Sequence, residues 1–240
     1  MDEQKPVRLH VYLARCGVDS RRKCEAIIQE GRVTVDSQIV TELGTKVTGD
    51  EEILVDGAPI GGKQKKVYLA LHKPPRVVTA NSDPTNRPVT ADLVKQYTNR
   101  RVFHVGRLDF LSSGLIFYTN DGYFSDTVIH PSNDFEKEYM VETKKAIDQK
   151  IIEAFTNGII IEGKKYQCKN ISQKTPTKAY IILTEGKNRE IRNVFYHFNQ
   201  KIHRLHRVRI GCVNIRDLPP GKCRKLTKSE VDWFFSNKKE

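Results

Sequence analysis

One tryptophan, two methionines and five cysteines stand in a chain of 240 residues, and its 29 Asp and Glu are outnumbered by 41 Lys and Arg. Cys16, Cys24, Cys168, Cys212 and Cys223 are scattered, odd in number and never spaced CxxC. That excludes a disulfide framework and the paired ligands of a structural zinc site, and it predicts reduced thiols. No apolar run approaches the ~18 residues that argue for a membrane span. Met1-Asp2-Glu3-Gln4-Lys5-Pro6 lacks the apolar stretch of a secretory signal. A cytoplasmic chain with no membrane partner is expected. Neither a GxGxxG fingerprint nor a Walker loop is present, so a nucleotide cofactor has no support. His203 and His206 lie close together, yet the run 203–210, HRLHRVRI, surrounds them with like charge and offers no carboxylate. A basic strand facing RNA is the better reading than a metal site. No cofactor and no metal are expected.

What the chain has in excess is positive charge, unevenly placed. Residues 1–62 hold 8 Lys and Arg against 11 Asp and Glu, whereas residues 63–240 hold 33 against 18. Within the latter, residues 187–240 hold 14 against 5. A concentrated positive field suits a polyanionic partner. With 38% hydrophobic and 29% charged residues, the composition is that of a globular chain.

Leu9, Tyr12, Leu13 and Cys16 recur at i, i+3, i+4 and i+7, the stripe of an amphipathic helix, with Gly17 as its left-handed stop. Asp19 or Ser20 can cap a second helix running to Glu30, with Cys24, Ile27 and Ile28 inward and Gly31 at its end. Strands are expected over residues 32–36, turning at Asp36-Ser37, and over 53–55. The second helix opens on Ser20-Arg21-Arg22-Lys23. Three cations there oppose the macrodipole at roughly some tenths of a kcal/mol each, whereas a phosphate favours both the cations and the helix amides.

This small αα/β module resembles the RNA-binding domain named after ribosomal protein S-four. The matching residues are the run 8–18, RLHVYLARCGV, then Ser20-Arg21-Arg22-Lys23 and the run 28–36, IQEGRVTVD. The resemblance implies that Arg8, Arg15, Arg21, Arg22 and Lys23 face structured RNA.

Residues 56–66 mix glycine, proline and charge without period and read as a flexible linker. The boundary is placed near residue 63, giving domains 1–62 and 63–240. Beyond it, strands are expected over 67–71, 115–119, 136–141 and 180–183, and helices over 123–130, 147–155 and 190–198. An imperfectly alternating strand is expected over 202–210. Thr227, with Glu230 three residues on, predicts a capping box and a last helix. The absence of a βαβ repeat favours an α+β fold with a mixed, mostly antiparallel sheet.

Asp109 stands in the run 104–115, HVGRLDFLSSGL, with no triad, second acid or metal pattern beside it. From composition it reads as a turn carboxylate next to Ser112-Ser113-Gly114. A glycoside hydrolase pairing Asp109 with Glu136 or Glu138 fits poorly with the basic surface and the single tryptophan, Trp233.

However, Gly106-Arg107-Leu108-Asp109, followed by Ser113-Gly114-Leu115-Ile116 and Thr119-Asn120-Asp121-Gly122, resembles the signature of RsuA-like pseudouridine synthases. Five further matches follow the family's order. They are Lys73-Pro74 with Val77-Val78-Thr79; Glu136-Lys137-Glu138-Tyr139; the run 183–192, LTEGKNREIR; Leu218-Pro219-Pro220-Gly221 with Leu226-Thr227 and Glu230-Val231; and the N-terminal module.

The resemblance implies a monomeric, cofactor-free enzyme that isomerises one uridine of ribosomal RNA. The run Glu136-Lys137-Glu138-Tyr139 lies nearer to large-subunit members. Small-subunit or transfer RNA remains an alternative, and a non-catalytic RNA-binding or ribosome-assembly factor is the other class. The resemblance assigns the essential carboxylate to Asp109, as nucleophile or base, its counter-cation to Arg192, and the aromatic that packs on the base to Tyr139. It places Leu183, Arg107 and Lys137 around the substrate, and Lys187, Arg189, Arg204 and Arg207 on RNA. Glu190 stands where the family more often has glutamine, and Asn193-Val194-Phe195-Tyr196 replaces a more basic stretch. Both are expected to bear on RNA choice without touching the catalytic set.

Overall fold

Two residues of strand β1 (Val7–Arg8) lead into helix α1 (Leu9–Cys16), whose stripe Leu9, Tyr12, Leu13 and Cys16 is buried. The computed structural model describes residues 5–62 and 64–239, and the chain divides into two units, residues 1–66 and 67–240.

In the first unit Gly17, at φ +90°, ends α1 in the left-handed conformation that glycine adopts without strain. Helix α2 (Arg21–Gln29) is capped by the Ser20 hydroxyl, which accepts from the Lys23 amide at 3.2 Å. Strands β2 (Val33–Val35) and β3 (Gln38–Ile39) turn at Asp36 and Ser37, both at positive φ. Strand β4 (Lys46–Val47) pairs with β1, and β5 (Ile53–Val55) pairs with β2. The linker expected from Asp56 onward gives way to structure. Asp56-Gly57 turns the chain into β6 (Ala58–Pro59), which pairs with β5, and Asp56 accepts from Arg32 Nη2 at 2.6 Å. An Asp-Gly turn between short strands carries the same composition as a linker, so the sequence signal was ambiguous.

The second unit is built on one sheet. Its elements are β7 (Tyr68–Lys73), α3 (Thr90–Lys95), β8 (Phe103–Val105), β9 (Ser113–Thr119), α4 (Gly122–Ile129), β10 (Lys137–Thr143), α5 (Gln149–Asn157), the hairpin β11 (Ile159–Ile161) and β12 (Lys164–Tyr166), β13 (Asn170–Thr175), β14 (Lys178–Leu183), α6 (Glu190–His197), β15 (Ile202–Ile210), β16 (Val213–Asn214), β17 (Cys223–Lys225) and α7 (Lys228–Ser236). The strand order is β13-β14-β10-β15-β9-β7-β17, with β8 beside β9 and β16 beside β15. Among the described residues every pairing of the named strands in this sheet is antiparallel except β15 with β9. The expected mixed, mostly antiparallel α+β fold is therefore observed. The short helix α3 and the β11–β12 hairpin were not anticipated.

Strand β9 is buried at every position, with Leu115 and Phe117 in the core around α4 and α7 and Ile116 and Tyr118 in a second cluster with Val94 of α3. Covering on both faces explains its continuous apolar run. A third cluster joins Val141 and Ile181 of the sheet to Ile151, Phe155, Val194 and Phe195 of α5 and α6. Thr227 and Glu230 form the expected capping box at α7.

Candidate active site

Asp109 lies in the loop between β8 and β9, and that loop is pinned on both sides of it. Before Asp109, the buried Thr79 hydroxyl donates to the Leu108 carbonyl at 2.9 Å and accepts from the Leu108 amide. After it, the Ser112 amide donates to the Asp109 carbonyl at 3.0 Å, closing a turn. Beneath it Lys73, 0% exposed at the end of β7, donates to the carbonyls of Pro74, Phe110 and Ser112, the last at 2.7 Å. Burial lowers the Lys73 amine to about 8, against the attraction of Asp109.

Gly114 explains the close approach of the second half of the site. A Cβ there would stand 2.2 Å from the Arg207 carbonyl oxygen, across the parallel step from β9 to β15. Only glycine permits that spacing.

The cations facing Asp109 come from the start of α6. Arg192 Nε lies 3.3 Å from Asp109 Oδ2, while its Nη2 donates to Ser112 Oγ at 2.9 Å. Arg189 Nη1 lies 3.8 Å from the same oxygen. One helical turn separates the two arginines, which puts both on one side of α6. Arg189 itself takes φ 50°, a left-handed geometry uncommon for a non-glycine residue. The Asp109 side chain is 30% exposed and that of Arg192 13%, so the carboxylate faces the opening and the guanidinium stands behind it. Burial pulls the Arg192 guanidinium down from its usual range, and Asp109 opposes this.

Asp109 opens onto a cavity of about 240 Å³ whose wall includes Arg107, Lys137, Tyr139, Leu183, Glu190 and Arg207. That is several times the ~30 Å³ share of one water. Tyr139 comes from β10, between Ile181 of β14 and Arg207 of β15. Its hydroxyl accepts from Arg207 Nη1 at 3.2 Å, and the guanidinium carbon sits 5.8 Å from the ring centroid. Leu183 ends β14 opposite Lys137 and is 4% exposed. Lys137 Nζ donates to the carbonyls of Phe135 and Thr184, and burial lowers it to about 8. The wall thus brings the Asp109 carboxylate, with a cation behind it, together with an aromatic hydroxyl, an apolar edge and the acid of Glu190.

Of the residues picked from sequence, Asp109, Tyr139, Arg192, Leu183, Lys137 and Arg107 come together here. Arg107 is exposed on the rim. Lys187 also borders the cavity, with its amine tied to Glu185 and to the Lys165 carbonyl. Arg204 is exposed on β15 outside the cavity lining, and Arg8, Arg15, Arg21, Arg22 and Lys23 are exposed in the first unit.

Three expectations need correction. Arg207, expected on RNA, is 4% exposed and donates to the Leu115 carbonyl at 2.7 Å as well as to Tyr139. His206, expected on an RNA-facing strand, is buried against Ser113 Oγ at 2.9 Å, and burial lowers its imidazole to about 4. The register against β10 is regular from Arg204 to Arg207, so Leu205, His206 and Arg207 alternate normally and are buried in succession because both faces of β15 are covered there. Glu190, expected to stay clear of the catalytic set, borders the cavity and is 4% exposed, with its acid raised by burial. Glu136 and Glu138 are engaged with Arg209, and Glu136 also with Lys169, outside the cavity lining, which removes the paired-acid reading.

Two roles escaped sequence reasoning. Arg189 was placed on RNA and stands beside Asp109. Lys73 was only part of a motif, and its burial was signalled by nothing but the following Pro74-Pro75, which halts the strand at that residue.

Comparison with known proteins agrees along most of the chain. The profile of the family described as RNA pseudouridylate synthase matches residues 67–200, and that of the S4 domain matches residues 7–53. A Borreliella burgdorferi protein described as an uncharacterized RNA pseudouridine synthase is 39% identical over 232 residues, covering 95% of this chain and 93% of its own. The ribosomal large subunit pseudouridine synthase B of Bacillus subtilis is 36% identical over 230 residues, covering 93% of each. The dual-specificity RNA pseudouridine synthase RluF of Escherichia coli is 34% identical, covering 95% of this chain and 78% of its own. A crystal structure of a pseudouridylate synthase superposes with a TM-score of 0.68 at 24% identity, over 95% of this chain and 99% of that one, a likeness of fold.

Proposed function

The chain belongs to the RNA pseudouridine synthases, enzymes that convert uridine to pseudouridine, and we propose that Asp109 is the one carboxylate that carries the reaction in this chain. The observation that carries this reading is the Asp109–Arg192 pair at 3.3 Å, open to the cavity on the carboxylate side. The reaction breaks the C1′–N1 bond, turns the uracil and joins C1′ to C5, and the C5 proton lost is balanced by the proton N1 gains. Nothing is oxidised or hydrolysed, so one acid suffices.

Two roles suit that acid: attack on C1′ as a nucleophile, or removal of the 2′ proton as a base. A uridine deuterated at C2′ separates them, because proton removal gives a primary isotope effect and direct attack does not. Arg192 supplies the fixed counter-charge, held by Ser112 so that it need not reorganise during the reaction. Tyr139 offers a face for the base, and its hydroxyl, fixed by Arg207, stands ready for the proton step at C5. Leu183 and Tyr139 exclude water from one side of the base. The uridine must leave its stack to reach Asp109, at a cost of roughly a few kcal/mol. Phosphate contacts by Arg8, Arg15, Arg21, Arg22 and Lys23 in the first unit, with Lys187 and Arg204 in the second, offset it.

The substrate we infer is large-subunit ribosomal RNA. Support comes from the Bacillus subtilis relative at 36% identity and from the run Glu136-Lys137-Glu138-Tyr139. Mapping pseudouridine across total RNA with and without this protein tests the whole reading. One lost large-subunit site is expected, and a lost site confined to transfer or small-subunit RNA would replace that substrate.

A further inference from the structure

The reaction leaves unused the two side chains that follow Asp109. Phe110 is 37% and Leu111 59% exposed, although the backbone beneath them is firmly held. The Phe110 carbonyl accepts from the Arg76 amide at 2.7 Å and from Lys73 Nζ at 3.4 Å. Single exposed apolar residues are ordinary on a protein surface. These two are neighbours, and in the chain they stand between Asp109 and Ser112, which both line the cavity.

A second observation gives them a chemistry. Arg87 is locked by Asp83, whose carboxylate accepts from Arg87 Nε at 3.0 Å, from Nη2 at 2.7 Å and from the Arg87 amide at 3.2 Å. The hydrogen bonds from Arg87 and Thr85 hold the Asp83 carboxyl well below the usual carboxylate range. Fixed in this way, the Arg87 guanidinium carbon sits 5.8 Å from the Phe110 ring centroid. Guanidinium and phenyl planes are the groups on which unpaired nucleobases stack.

We propose that Phe110, Leu111 and Arg87 form a platform for the RNA bases flanking the target uridine. This rests on the reading of Asp109 as the reacting carboxylate. Phe110 takes a neighbouring base by stacking, and Leu111 acts as an apolar wedge in the gap that the extruded uridine leaves. The occupant follows from position, because a base held out of its stack at Asp109 leaves its neighbours within reach of the next two residues. The pinned backbone means that little ordering accompanies docking.

The test is single-turnover pseudouridine formation by a Phe110→Ala, Leu111→Ala double variant on two RNAs sharing the sequence around the mapped uridine. One is a stem-loop in which the uridine is stacked, and the other an unstructured oligonucleotide. The expected loss is about ten- to hundredfold on the stem-loop and within about threefold on the oligonucleotide. Phe110→Trp retains the stem-loop rate, and Arg87→Met gives an intermediate loss. Equal losses on the two RNAs, or none on either, overturn the platform. Product formation by Asp109→Asn on either RNA would instead remove the reading of Asp109. A 2-aminopurine beside the uridine then decides the platform alone: quenching on binding the unaltered protein but not the double variant supports it, and equal quenching refutes it.

Discussion

Arg21, Arg22 and Lys23 stand in solvent on the first turn of α2, whereas Lys73, Lys137, Arg192 and Arg207 are withdrawn into the second unit around Asp109. Lysine and arginine are used in both places, yet the physics differs. In water, at the Debye lengths of physiological salt, exposed cations act on a polyanion collectively and weakly. Around Asp109 each cation is partly or fully desolvated and held by named carbonyls or hydroxyls, and Arg192 acts on one carboxylate oxygen. The net charge of +12 therefore overstates the surface available to RNA, because part of it is buried machinery.

The sharpest way to break this contrast is at the carboxylate. Asp109→Asn is expected to lower turnover by about a thousandfold or more while leaving RNA affinity in place. Product formation by the variant in a single-turnover assay would take Asp109 out of the reaction. Arg192→Ala comes next, with kcat expected to fall about a hundredfold and KM to move little. A change in KM alone would make Arg192 a phosphate contact like those of α2.

The exposed set should respond oppositely. Replacing Arg21, Arg22 and Lys23 together with alanine is expected to weaken RNA binding about tenfold and to flatten the log–log salt dependence by roughly two to three, with kcat at saturating RNA unchanged. A filter-binding salt titration reads both. The smallest effect is in pH. Lys73 and Lys137, lowered by burial to about 8, are charged below that pH and neutral above it, so turnover is expected to decline as pH rises through about 8. Stability moves the other way. Between about 8 and the ordinary lysine value near 10.5, the folded chain binds fewer protons than the unfolded one, and these two groups make stability rise with pH. Urea midpoints of Lys137→Met should accordingly exceed those of the unaltered chain below pH 8 and converge with them near 10.5.

Local chemistry was legible in the sequence wherever one residue type has one use. Of the two candidates Asp19 and Ser20, Ser20 caps α2, Thr227 caps α7, and Gly17 stops α1. Legibility failed where composition has two meanings. Asp56-Gly57 served a turn as readily as a linker. The basic run 203–210 alternated too poorly to assign its faces, because both faces of β15 are covered at Leu205, His206 and Arg207. The Asp109–Arg192 pair spans 83 residues, and no local pattern predicts such a contact. It entered through family resemblance, and Arg189 and Lys73, for which the resemblance assigned no such contact, were missed.

The single parallel pairing in the sheet, His206 with Ser113 and Arg207 with Gly114, has a consequence for assembly in time. Hairpin neighbours such as β13 and β14 close through a local turn, but His206 of β15 and Ser113 of β9 lie 93 residues apart and meet without one, a slow kind of contact to form. The loop of Asp109 leads into β9, and the helix of Arg189 and Arg192 leads into β15. Bringing carboxylate and guanidinium together therefore awaits a long-range seam of the sheet. On refolding, helical signal should return before turnover does, which makes catalysis the stricter gauge of a finished molecule.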